Sequence, residues 1–219
     1  MDLLYGPIVI NLDSRPDRLA EMESEFLKLD GYFRRLSAST GGALGCIASH
    51  CHALELYLHE TETGMTEAPA VMICEDDALF QTDRATLDQH IREFLSNPDA
   101  KVACLGFNAK VFEPWSPLFN RCREIQTRVC YIVKHEFARE LNELWRQIYA
   151  VRISNKPAPW YEQAYRSLPI SNPPIDIYRG DQSWKLLQQT TVFLTPKTRL
   201  VIQRPSYSDI EQRPVNYKV

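Results

Sequence analysis

Ala70-Val71-Met72-Ile73-Cys74-Glu75-Asp76-Asp77 is the stretch on which the fold turns. A run of apolar residues that ends abruptly in consecutive carboxylates has the pattern of a buried strand surfacing at the edge of a sheet. In open α/β sheets ligands bind outside the carboxyl ends of the strands, so the acids stand where a site is expected. Two unit charges about 4 Å apart repel by roughly 4 kcal/mol at an effective dielectric of about 20. A solvated acidic turn relieves that repulsion, and so does a bound cation; the triplet alone leaves both readings open. Its place at a strand end in an α/β pattern tilts the balance toward a site. If a metal binds, carboxylates call for a hard, oxygen-seeking divalent ion such as Mn²⁺ or Mg²⁺. Side chains alternate along a strand, so Glu75 and Asp77 are expected on one side and Asp76 on the other.

Upstream of this strand, Pro7 to Leu12 reads as a first strand. Asp13 or Ser14 then caps a helix with Pro16 in its first turn and Leu19, Met22, Phe26 and Leu29 at helical spacing. Asn11, Asp13, Arg15 and Arg18 lie at the top of this unit; the two arginines suit either solvent or a ligand phosphate. A second strand over Tyr32 to Leu36 leads into a loop, Ser37 to Gly45, with glycines at 41, 42 and 45. Glycines and hydroxyls before a helix let backbone amides approach a ligand, although the spacing is neither GxGxxG nor the Walker pattern. The helix that follows, from Leu44 to Cys46 through Glu60, carries Ser49 and His50 early. A lone histidine there is more often a hydrogen-bonded structural residue than a ligand.

Downstream, Thr82 or Asp83 caps a helix with Leu87, Ile91, Phe94 and Leu95 inward, and Lys101 to Phe107 is another strand. This alternation predicts a single α/β domain with a doubly wound, mainly parallel, Rossmann-like sheet flanked by helices. Residues 108–126, with Pro114, Trp115, Pro117 and Phe119, read as an ordered loop. Thr127 to Val133 is a strand and Phe137 to Ile148 a helix. The proline- and aromatic-rich segment from Arg152 to Pro174 reads as a lid. Asp176 and Asp181 follow, Asp181 being also a candidate helix cap. Two late strands, Thr191 to Leu194 and Leu200 to Gln203, precede a polar tail from Arg204.

The 219 residues suffice for one full hydrophobic core. A formal net charge of -3 gives no reason to expect nucleic acid as the partner. Six cysteines without a CxxC pair read as buried thiols in a reducing compartment, not as a zinc site or a disulfide framework. With no secretory signal and no long apolar run, a cytoplasmic protein is expected, with any membrane contact peripheral.

Three segments in order, Ile8 to Arg18, Gly42-Ala43-Leu44-Gly45-Cys46-Ile47-Ala48-Ser49-His50 and Val71 to Asp77, resemble glycosyltransferase family 25. That family includes bacterial lipooligosaccharide galactosyltransferases and procollagen galactosyltransferases. The match extends more loosely through Thr127 to Val133 and Pro174-Ile175-Asp176, covering about residues 7 to 210. It departs from the family at Ala43, where an acidic residue is common, and at Ala78, where a β-branched one is.

The resemblance implies a single GT-A-like domain: 7–107 a nucleotide-sugar half, 108–203 an acceptor half and 204–219 a tail. It implies a UDP-sugar donor and a glycan or hydroxylated side chain as acceptor, with galactose or glucose transferred and inversion at the anomeric carbon. Asp77, with Asp76, would hold Mn²⁺ or Mg²⁺, and Glu75 or Asp76 would contact the donor ribose or sugar. Asn11, Asp13 and Arg18, with Gly45, Ser49 and His50, would lie near the nucleotide. Asp176, ahead of Asp181, would take the acceptor's proton. Two competing readings use the same residues: a nucleotidyl- or phosphoryltransferase, and a non-catalytic sugar-nucleotide-binding module.

Overall fold

The structure, a computed structural model, describes residues 3–170, 174, 176–208 and 212–216. In chain order the elements are β1 (Tyr5–Asn11), α1 (Pro16–Lys28), β2 (Arg34–Ser37), α2 (Gly42–Glu62), β3 (Ala70–Glu75) and β4 (Ala78–Phe80). Then come α3 (Arg84–Ser96), β5 (Ala100–Asn108), β6 (Val111–Pro114), β7 (Phe119–Arg123), β8 (Gln126–Lys134), α4 (His135–Ser154) and α5 (Pro159–Arg166). After α6 (Gly180–Ser183) and a 3₁₀ turn (Trp184–Gln189) the chain closes with β9 (Val192–Pro196), β10 (Val201–Gln203), β11 (Ser206–Ser208) and β12 (Arg213–Val215).

Strands buried on both faces read as continuous apolar runs, because alternate side chains enter two different cores. Here Ile8, Ile10, Val71, Ile73, Val102, Cys104, Tyr131 and Val133 pack with Ile47, Leu54 and Leu58 of α2 and Leu141, Trp145 and Ile148 of α4. Val9, Met72, Cys74, Ala103, Leu105, Cys130 and Ile132 face the other way, onto Met22 and Phe26 of α1 and Leu87, Ile91 and Phe94 of α3. The result is three layers, helix on sheet on helix.

The central sheet has the order β2-β1-β3-β8-β5-β9-β7-β6. β1, β2, β3, β5, β6 and β9 run one way and β7 and β8 the other, so the sheet is mixed and mainly parallel. β8 enters antiparallel between β3 and β5. A parallel return after β5 requires a crossover of a dozen or more residues, usually a helix. Residues 109–125 instead form the β6–β7 hairpin, at the edge of the sheet, where the proline-rich pattern suggests a loop.

Other local expectations shift for specific reasons. Asp83 caps α3, accepting from the Thr86 amide at 2.7 Å. The residue at the N-cap of α1 is Arg15, without a side-chain cap, because Asp13 is drawn off to Arg35 and Ser37. Asp181 sits inside the first turn of α6, whose N-cap is Arg179, so it is not the cap. The segment expected to form a lid contains α5, whose Tyr161 and Tyr165 are buried in the core; Trp160 beside them stands half-exposed. Ile175 of the late Pro174 to Asp176 match, and parts of the tail, lie outside the described residues. No helix among the described residues is long and apolar enough to cross a membrane.

β1 lies between β2 and β3, so the chain leaves it on both sides, and the carboxyl ends of β1 and β3 flank a topological switch point. Ile10 is paired with Glu75 across them. Asn11 and the acid triplet therefore meet at the crevice where such sheets bind ligands.

Candidate active site at the carboxyl ends of β1 and β3

β3 stops at Glu75, and Asp76 and Asp77 turn the chain into β4. Past that point strand alternation no longer governs side-chain direction, and the three acids point to three sets of partners. Asp76 is gripped on both oxygens: Asn11 Nδ2 donates to Oδ2 at 2.9 Å and Arg18 Nη1 to Oδ1 at 2.7 Å. The same guanidinium lies 3.8 Å from Asp77 Oδ2 and donates to the Ser206 hydroxyl at 2.8 Å and the Tyr207 carbonyl at 2.6 Å. Asp77 receives Gln203 Nε2 on Oδ2 at 2.9 Å, while its Oδ1 is buried without a hydrogen-bond partner among the described residues. Glu75 faces α2, where His50 Nε2 lies 3.0 Å and Cys46 Sγ 3.4 Å from its Oε1.

The environments drive the carboxyls apart. Burial, and then the charge of Glu75, push Asp77 up to about 7, against the Gln203 bond and Arg18. Burial also works against Glu75, but the hydrogen bond and charge of His50, with the charge of Arg128, outweigh it and hold Glu75 down at about 2. Burial and Arg128 lower His50 to about 4. At neutral pH the imidazole is therefore uncharged, and its hydrogen bond and Arg128 are what keep Glu75 ionised. A pair of acids, one fixed as carboxylate and one poised near neutrality, is the pattern of a site built to hold charge.

The acids open on a cavity of about 290 Å³ also lined by Arg18, Ser39, Thr40, Gly41, Gly42 and Gln203. Gly41 (φ 106°) and Gly42 (φ 61°) take the left-handed backbone that begins the 21-residue α2. That helix has no side-chain cap among the described residues, and Gly41, Gly42 and Cys46 at its N-terminal end line the cavity, which puts the positive end of its dipole at the cavity wall. Ser49 ties the loop down, accepting from the Ser39 amide and donating to the Gly45 carbonyl, each at 2.8 Å. At Gly45 a Cβ would collide with the carbonyl oxygens of Ser39 and Thr40. Both are backbone atoms that cannot swing aside, so Gly45→Ala is expected to cost about 1–3 kcal/mol as overpacking. Urea denaturation checks this, and a neutral result would show that the loop does not need that close approach.

No family model matches the chain, and no curated protein matches it. Among solved structures, a glycosyltransferase involved in glycosylation of the major capsid of PBCV-1 aligns at a TM-score of 0.43 and 13% identity, over 94% of this chain and 95% of that one. A structure described as mannose-1-phosphate geranyltransferase from Thermus thermophilus aligns at 0.42 and 11%, over 90% of this chain and 58% of that one. The protein A197 from STIV aligns at 0.41 and 11%, over 90% and 92%. Transferases are thus among its structural neighbours. At these identities and scores the likeness is one of α/β layering, and the reaction has to be read from the site.

Of the residues expected there, Arg18, Ser49, His50, Glu75, Asp76 and Asp77 line the cavity, with Asn11 and Gly45 directly behind. Asp13 stands outside it, exposed and held by Arg35 and Ser37. Asp176 lines a different cavity, with Tyr165 and Tyr178, and pairs with Arg152 at 2.8 Å. Asp181 is closer: its charge acts on both Cys46 and Arg128. Sequence reasoning missed Arg128, which is buried, stacks over Trp145 at 5.0 Å and donates from Nη2 to Cys46 Sγ at 3.1 Å. An arginine inside an otherwise apolar strand, Thr127 to Val133, was the available signal. Gln203, expected only as the end of a late strand, and Ser208, in the polar tail, were also missed, yet both line the cavity.

Proposed function

We propose that this chain is a metal-dependent glycosyltransferase that moves a hexose, galactose or glucose, from a UDP-sugar to a hydroxyl of a glycan or hydroxylated side chain with inversion. The observation that carries the reading is Asp77 Oδ1: a buried carboxylate oxygen, unpartnered among the described residues, at the cavity, beside a second acid and opposite the N-terminus of α2. An oxygen donor without a partner suits a hard cation such as Mn²⁺ or Mg²⁺. Asp76, with both oxygens already engaged, acts instead by holding Arg18 in place. When bound, the cation supplies neutralisation of the diphosphate leaving group. The amides of α2 and the Thr40 to Gly42 backbone offer donors to the same phosphates.

Every cavity residue except Gln203 and Ser208 comes from 7–107, which we assign to the donor, leaving 108–203 to the acceptor. For the group that takes the acceptor's proton we place Asp181 ahead of Asp176, because Asp181 is the late carboxylate whose charge reaches the site, whereas Asp176 is committed to Arg152.

Calorimetric titration of UDP in the presence of Mn²⁺ tests the assignment. Asp77→Ala is expected to weaken metal-supported UDP binding by at least about tenfold, a difference of roughly 1.4 kcal/mol. Binding as tight as wild type would remove Asp77 from the role. Donor hydrolysis across a panel of UDP-sugars then identifies the sugar, and release of intact UDP separates glycosyl transfer from attack at phosphorus.

A further inference from the structure

One cluster in the cavity wall has a chemistry that differs from the Asp77 place. Cys46 and His50 lie one helical turn apart on α2, on a single face, and Glu75 reaches them from the end of β3. Their donor atoms, Sγ, a ring nitrogen and a carboxylate oxygen, all lie within 4.8 Å of one another. His50 Nε2 is 3.0 Å and Cys46 Sγ 3.4 Å from Glu75 Oε1. Zinc takes sulfur at about 2.3 Å and nitrogen or oxygen at about 2.0–2.2 Å in tetrahedral array, which sets its donors roughly 3–4 Å apart. Both separations from Glu75 Oε1 fall in that range, and the Cys46 sulfur and the His50 ring nitrogen lie within 4.8 Å of each other.

We propose that Cys46, His50 and Glu75 form a metal centre for a thiophilic divalent ion of the zinc class, separate from the hard-cation place at Asp77. Soft and borderline donors select such ions, whereas Mn²⁺ and Mg²⁺ prefer oxygen alone. The surroundings supply the outer contacts that metal ligands use. The Tyr131 hydroxyl lies 3.0 Å from His50 Nδ1 and fixes the ring, and Arg128 Nη2 donates to Cys46 Sγ, a contact that strengthens when the sulfur is a thiolate.

Binding requires that Cys46 release its thiol proton to solvent, that His50 present the Nε2 lone pair, and that its proton move to Nδ1, facing the Tyr131 oxygen. The thiolate and the Glu75 carboxylate together balance a doubly charged ion. Arg128, the next charge out, is offset by Asp181, whose field it already feels. All three ligands line the cavity, so the fourth position opens toward bound ligand, the arrangement of a catalytic zinc and not of a closed structural one.

The proposal stands independently of the reading of Asp77, and the test separates them. The full chain, stripped with chelator, is titrated with Co²⁺ and followed by absorption. A near-ultraviolet thiolate-to-cobalt charge-transfer band that saturates at one equivalent and is displaced by Zn²⁺ is expected. The band is lost in Cys46→Ser, needs about tenfold more Co²⁺ in Tyr131→Phe, and persists in Asp77→Asn. Absence of the band from the native chain at saturating Co²⁺ overturns the proposal, with no variant needed, so a folding defect cannot mask the answer. Survival of the band in Cys46→Ser overturns it equally.

Discussion

Asp77→Asn is expected to raise the stability of the protein at pH 8 and to leave it unchanged at pH 4. The folded carboxyl is raised to about 7 by burial and by Glu75. The folded state therefore keeps a proton that the unfolded chain gives up near the ordinary carboxylate value of about 4. The stabilisation is fully present below that value and is lost as pH climbs through the folded one. Asparagine copies the protonated acid and cannot ionise, so it keeps the stability that wild type loses. The gap between the unfolded and folded values sets an upper bound of about 4 kcal/mol, and on the order of 2–4 kcal/mol, or roughly 5–10 °C in Tm, is expected at pH 8. Calorimetric scans at pH 4, 6 and 8 check it. An equal change at all three would mean that the effect is packing and not titration. Mn²⁺ is expected to raise the Tm of wild type and not of the variant, so the two effects of one substitution run in opposite senses, as they do where a site is kept at a cost to the fold.

Arg18→Met is expected to be the most damaging single change at the site, costing about 3–5 kcal/mol, the usual loss when one member of a buried ion pair is removed. Both side chains of the Arg18–Asp76 pair are buried, at 9% relative exposure each. Without Arg18, Asp76 keeps only Asn11, Asp77 loses its nearest cation, and Ser206 and Tyr207 lose the guanidinium that holds them. Arg18→Lys is expected to recover little, since one ammonium cannot reproduce a fork that serves a carboxylate, a hydroxyl and a carbonyl at once. Adding Asp76→Asn to Arg18→Met should recover part of the loss, because the stranded charge is then gone. Urea midpoints with unchanged slopes measure this. A Met variant within about 0.5 kcal/mol of wild type, the range of ordinary surface substitutions, would show that the pair is solvated.

The parts of this molecule legible in its sequence are those fixed by local pattern. The apolar runs of β1, β3, β5 and β8 announced strands, and Thr82 or Asp83 announced the start of α3, where Asp83 is the cap. Glu75 to Asp77 announced itself as a charge cluster at a strand end. Harder to read were features whose partners lie far off in the chain. Asp76 is 65 residues from Asn11 and 58 from Arg18, and Arg128 is 82 from Cys46, so no spacing rule couples them. The antiparallel entry of β8 follows from what the preceding segment lacks, a crossover helix, and the prolines that made it look like a loop mark an edge hairpin. The same distance hid the Cys46, His50 and Glu75 cluster, whose first two members are turn neighbours but whose third arrives from another strand.

The return of β10 onto β4 places Gln203 against Asp77 and brings the Arg204 amide to the Asp77 carbonyl at 2.7 Å. Ser206 and Tyr207 then latch Arg18 from behind. The acid pocket is thus closed by contacts that span 126 to 189 positions of the chain, so ordering it carries a loop-closure cost that the local contacts of the helices do not.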